Sequence, residues 1–205
     1  MLCLLGSISV FFVGKQVKNM SDGVTDPEER KKNALEQLGG LPEGYSVVAS
    51  VSFFGAMKTT VLSDQAPLPD GGLAMGGRAF HYYRVMANEQ NASTRAFFEG
   101  KPSENAGIQQ GGIHFDPQAV IKRGELNVEG RRLLYVVARG PLEGRQSGLI
   151  NAVLFACPDD ALRVGLWSQV DPSPDAPAEK VNLEGTVADE AQLARFLKPV
   201  NPCGR

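Results

Sequence analysis

The sequence predicts an α+β protein: a mostly antiparallel sheet with helices packed on it, preceded by an N-terminal apolar helix. Three observations carry this. Six stretches between Tyr45 and Gln169 are rich in β-branched and aromatic residues and are divided by turns bearing Gly or Pro. Two segments with helix start and stop signals, "TDPEERKKNALEQLGG" and "ADEAQLARFLK", bracket those stretches. The third observation is the uncharged run from Leu2 to Val13, which opens the chain directly after Met1.

Residues 1–20 form the first unit, read as a membrane anchor or an uncleaved signal. A spanning helix needs about 20 apolar residues, and Leu2–Val13 supplies roughly 18 Å of helix at about 1.5 Å per residue. The length suits a signal peptide's apolar region, but no basic residue precedes it and "VGKQVKN" holds no small-residue cleavage site. A buried strand is the third reading, permitted by Ile8, Val10, Phe11, Phe12 and Val13 but lacking alternation. Length and flanks together favour the anchor. An apolar run that starts at the first Met leads to the expectation of a start further upstream, which would supply the missing basic flank.

Residues 21–40 read as a helical stalk. Thr25 or Asp26 caps the helix, Pro27 occupies its first turn, Glu28 and Glu29 favour the positive end of its dipole, and Gly39–Gly40 stop it. Its apolar face is thin, comprising Ala34, Leu35 and Leu38, which suits a surface element between anchor and body.

Residues 41–205 form the globular domain. "YSVVASVSFF" and "MKTTVLSD" are expected as a hairpin turning at Gly55–Ala56, after which "APLPDGGLAMGG" reads as a loop. "RAFHYYRVM" is a third strand, with Phe80, Tyr82 and Arg84 on one face and His81, Tyr83 and Val85 on the other. "NASTRAFFEGK" is a short helix capped by Asn91 or Ser93, and "DPQAVIKRGEL" fits either a helix or a strand. "RRLLYVVAR", the almost wholly apolar "GLINAVLFAC" and the alternating "LRVGLWSQ" are strands, the second of them expected near the sheet centre. In the closing helix Ala188, Ala191, Leu193, Ala194, Phe196 and Leu197 can face inward, Asp189 or Thr186 caps the start and Pro199 ends it.

The order of strands, helix, strands and closing helix, with "EGRRLLYVVARG" followed by two more strands and then "AQLARFLKPV", resembles the PsbP-like fold. That resemblance implies a small α/β/α sandwich of the kind used in extracytoplasmic and regulatory modules. It covers the C-terminal part of the chain and lies in element order rather than in a motif. Such a fold serves as scaffold or binding module, so it does not by itself carry a function.

Composition excludes more than it proposes. The net charge of −2 leaves no basic surplus for phosphate backbones, so nucleic acid is not an expected partner. There are two histidines, His81 and His114, and neither belongs to a metal-ligand pattern. "DGGLAMGG" and "GAMKTT" lack the ending of a phosphate-binding loop, no nucleophile elbow occurs around Ser147, and no calcium-loop spacing occurs among the aspartates. No cofactor is expected. Tyr82, Tyr83 and Trp167 are aromatics that can line a groove for a ligand or partner, although core packing is the commoner use of such residues.

Two functional classes remain. One is a membrane-tethered binding or scaffolding module outside the cytoplasm, touching the membrane through its N-terminal segment and a protein partner through its body. The other is a hydrolase whose residues meet only in space. The cysteines bear on the compartment. Cys157 ends an apolar strand and Cys203 lies in the tail after the closing helix, so helix packing returns the tail towards the strand end. A Cys157–Cys203 disulfide is expected, with two free thiols as the alternative; Cys3 takes no part. The disulfide requires an oxidising compartment. It would override Lys15, Lys18, Arg30, Lys31 and Lys32, whose position after the apolar run favours a cytoplasmic body.

Overall fold

The computed structural model describes residues 26–53, 57–66, 76–87, 90–101, 108–110, 113–115, 119–142 and 147–204. The expectations for residues 1–20 and for the Gly55–Ala56 turn fall outside these residues. Among the described residues no helix is long and apolar enough to cross a membrane.

Among the described residues the protein is a mixed α+β fold built on one seven-stranded antiparallel sheet with three α-helices. Strands β1 (Ser46–Phe53), β2 (Met57–Ser63) and β3 (Ala79–Val85) form a meander. The chain then passes through helix α2 (Gln90–Phe98), which follows helix α1 (Pro27–Leu38), and a small two-stranded ribbon, β4 (Ile108–Gln110) with β5 (Ile113–Phe115). It re-enters the sheet at the far edge as β6 (Ala119–Val128). Strands β7 (Arg131–Pro141), β8 (Ser147–Phe155) and β9 (Leu162–Val170) then step back until β9 pairs with β3. The order is therefore β1-β2-β3-β9-β8-β7-β6. From Ala119 onward the stretch "DPQAVIKRGEL" resolves as strand, and "GLINAVLFAC" lies next to the central β9. Helix α3 (Glu190–Leu197) closes the chain.

Strand alternation gives the sheet two apolar faces, and helices cover both. One face carries Leu62, Phe80, Tyr135 and Trp167 against Leu38 of α1 and Leu193, Phe196 and Leu197 of α3. The other carries Val136, Ala152 and Val164 against Phe97 and Phe98 of α2. Helix α3 starts as expected, with the Asp189 carboxylate accepting from the Ala191 and Gln192 amides. Helix α2 begins before the expected caps: Asn91 is its second residue and donates to Met86 O and Asp160 O, tying the helix to the end of β3 and the β8–β9 turn.

Helix α1 corrects the stalk expectation. Its cap, Asp26, and its stop, Gly39 with φ +73°, are as read from the sequence. The helix nevertheless lies on the sheet, because Ala34 and Leu38 are fully buried while Leu35 faces out. Gln37 bridges Ser50 and Thr60, donating 3.1 Å to the first and accepting 3.1 Å from the second, and Arg30 Nη1 donates 3.0 Å to Val48 O. The Asn201 amide donates 2.6 Å to Leu38 O. That approach leaves no room for a side chain at position 39, where a Cβ would lie 2.6 Å from Asn201 O. A thin apolar face therefore suffices, because polar bonds from Arg30 and Gln37 do the remaining docking.

Candidate functional site

At one end of the α1/α3 face the sheet carries a row of cations. Lys58 of β2 pairs in register with Arg84 of β3, and Arg84 pairs with Arg163 of β9. Directly opposed residues share a face with Cα atoms about 5 Å apart, so three like charges stand side by side. Like charges in this arrangement repel unless an anion sits among them.

The β8–β9 turn supplies one such anion. The Asp159 carboxylate takes a two-pronged contact from Arg163: Nη1 donates to Oδ1, and Nη2 donates to Oδ2 at 2.7 Å. Arg84 Nη2 reaches the same Oδ2 at 3.4 Å. The hydrogen bonds from Arg163, with its charge and that of Arg84 added, hold the Asp159 carboxyl down at about 2. Arg163 is raised in return, chiefly by its bond to Asp159. The Arg163 side chain is 7% exposed, whereas those of Arg84 and Asp159 are 37% and 47% exposed, so the row is open to solvent at Arg84, its middle member.

The site has unused polar capacity. Arg84 Nε, Arg163 Nε and Tyr82 Oη are buried and complete no hydrogen bond in good geometry. The Tyr82 hydroxyl is beside the Arg163 guanidinium, and burial pushes its pKa well up, against the pull of both arginines. Lys58 has no carboxylate partner among the described residues. The described groups are three cations, the Asp159 carboxylate and a phenol that burial keeps protonated. They can hold an anion.

The aromatic groove expected from Tyr82, Tyr83 and Trp167 is not formed. The three are 0%, 3% and 2% exposed. Tyr82 and Trp167 lie in the α1/α3 core and Tyr83 in the opposite one. The reason is the period of two: adjacent tyrosines on a strand point to opposite faces, and here both faces are covered. Trp167 stacks on Phe196 at 4.3 Å, donates 2.9 Å to Tyr45 Oη and lies 5.8 Å from the Arg78 guanidinium. It is a packing residue.

Of the two histidines, His81 alone has a side chain among the described residues. His81 stacks on Tyr83 at 6.5 Å, and burial alone pushes its pKa down to about 4. His114 lies in β5 opposite Gln109, and its side chain is outside the described residues. Among the described residues no group of three or more His, Cys, Asp or Glu side chains is placed to hold a metal ion.

Cys157 and Cys203 are joined by a disulfide, with an S–S distance of 2.01 Å and Cα atoms 5.1 Å apart. The bond fastens the tail to the end of β8. Arg131 caps the same tail from β7, donating to Val200 O and, at 3.2 Å each, to Leu197 O and Lys198 O. Sequence reasoning placed Arg84 on the same face as Tyr82, and the alternation of "LRVGLWSQ" puts Arg163 on that of Trp167, but neither brought the two strands together. The available signal was a cation in each of two strand faces otherwise given to aromatics.

Compared with known proteins, the chain matches no family model and no curated protein.

Proposed function

We propose that the chain is an extracytoplasmic binding or scaffolding module, held at the membrane by its N-terminal segment. The observation that carries this is the Cys157–Cys203 disulfide, since such bonds persist in oxidising compartments and are rare where thiols are kept reduced. The cation row, with its fixed charges and unpaired donors, supports binding rather than bond-breaking. Helices on both faces of an antiparallel sheet fit the α/β/α sandwich implied by the PsbP-like resemblance, which remains our finer reading of the fold. Under this reading the apolar Leu2–Val13 run anchors the body and a protein partner is met by the body's surface.

Protease protection tests the reading. In intact source cells whose outer layers have been made permeable, added protease should remove the body while a cytoplasmic marker survives. Survival of the body until the inner membrane is lysed would place it on the cytoplasmic side and end the proposal.

A further inference from the structure

We propose that the Lys58–Arg84–Arg163 row is a binding site for a phosphate-type dianion, entering at the exposed Lys58–Arg84 end while Asp159 holds Arg163 in place. The inference deepens the reading of the chain as a binding module and rests on it. Three observations carry it. The first is charge: three cations in successive cross-strand register face one carboxylate, leaving two positive charges uncompensated among the described residues. A dianion neutralises that surplus, whereas a monocarboxylate leaves half of it. The second is unused donors. Arg84 Nε and Arg163 Nε are buried without a hydrogen-bond partner, and a buried donor left unpaired is costly unless something completes it. The third is access, since Arg84 is open to solvent and Lys58 is partly so. Guanidinium and ammonium groups together suit a tetrahedral oxyanion, the first through its planar fork and the second as a point charge.

Asp159 makes the proposal testable by a gain as well as a loss. It competes with the ligand for Arg84, so neutralising it should strengthen binding. A misfolded variant cannot mimic that result. The full chain is titrated with inorganic phosphate at low ionic strength, with acetate as the monoanion and vesicles of phosphatidylcholine with and without phosphatidic acid as the lipid arm. Phosphate should bind more tightly than acetate. Lys58→Gln and Arg84→Gln should each weaken phosphate about tenfold, the effect of one charge-assisted contact. Asp159→Asn should tighten it severalfold, and Arg132→Gln, whose arginine pairs with Glu125 at the far edge strand, should leave it unchanged.

Retention on phosphatidic acid vesicles that is lost in Lys58→Gln would identify a lipid phosphate as the source. Phosphate binding without such retention would identify a soluble one, and either result supports the site. Absence of phosphate binding overturns it. So does binding that Lys58→Gln and Arg84→Gln leave intact, or that Asp159→Asn weakens. Phosphate binding by a chain whose body proves cytoplasmic would keep the site and remove the extracytoplasmic reading.

Discussion

Leu38→Ala separates a docked α1 from a stalk. Leu38 is fully buried in the α1/α3 core, while Leu35, one turn earlier on the same helix, is 40% exposed. Removing the Leu38 side chain forfeits the transfer energy of a buried leucine, about 1.5–3 kcal/mol, and adds a cavity cost. The cavity has little freedom to collapse, because the Asn201 amide pins Leu38 O and Gln37 is tied to Ser50 and Thr60. A loss of about 3 kcal/mol follows, within the range of about 2–5 for such changes. Leu35→Ala should cost less than about 0.5 kcal/mol, as exposed substitutions do. The assay is urea denaturation of the purified chain, followed by the fluorescence of its single tryptophan, Trp167, which is buried in the same core. With a slope of about 2 kcal/mol per molar, Leu38→Ala should lower the midpoint by about 1.5 M. A shift no larger than that of Leu35→Ala would refute the docking of α1, and with it the account of this face.

Three further outcomes rest on other parts of the same fold. Replacing both Cys157 and Cys203 by Ser removes the constraint on a loop of 46-residue separation, worth up to about 4 kcal/mol on the chain-entropy view; the urea midpoint should fall and cease to respond to reductant. Gly165→Ala places a Cβ 2.5 Å from the Phe80 ring in the core, so stability should drop by about 1–3 kcal/mol in the same assay. His81 titrates near pH 4 when folded against 6.5 unfolded, so below pH 6.5 the unfolded chain binds the extra proton. Stability from this group is therefore complete above pH 6.5 and declines towards pH 4. Comparing melting temperatures across that window, His81→Phe should show the shallower decline, and parallel curves would remove His81 as the cause.

Most strands were legible because their signals are local. Alternation in "RAFHYYRVM" and "LRVGLWSQ" assigned each side chain to the face it occupies, and the Asp189 cap and Pro199 stop bounded α3. The docking of α1 was not legible from its apolar pattern, because Arg30 and Gln37, residues that look solvated in a sequence, bond it to the sheet. The cation row was hidden for a topological reason. Arg84 and Arg163 are far apart in the chain and meet only because the meander returns β9 to β3 after the β6–β8 excursion. Tyr82, Tyr83 and Trp167 drew attention as aromatics, yet what decided their role was the helices above both faces, which strand alternation alone does not reveal. Cys157 and Cys203 were more readable, since a strand end and a tail beyond a packed helix fix roughly where each sulfur goes.

The disulfide carries the proposal about where this protein works, and a thiol count tests it most directly. Cells containing the native protein are quenched in an alkylating agent, and the chain is denatured, isolated and mapped for modified cysteines. The account predicts Cys157 and Cys203 unmodified until a reductant is added, and then both modified. Alkylation of both Cys157 and Cys203 before reduction would contradict the disulfide in the cell and the extracytoplasmic body together.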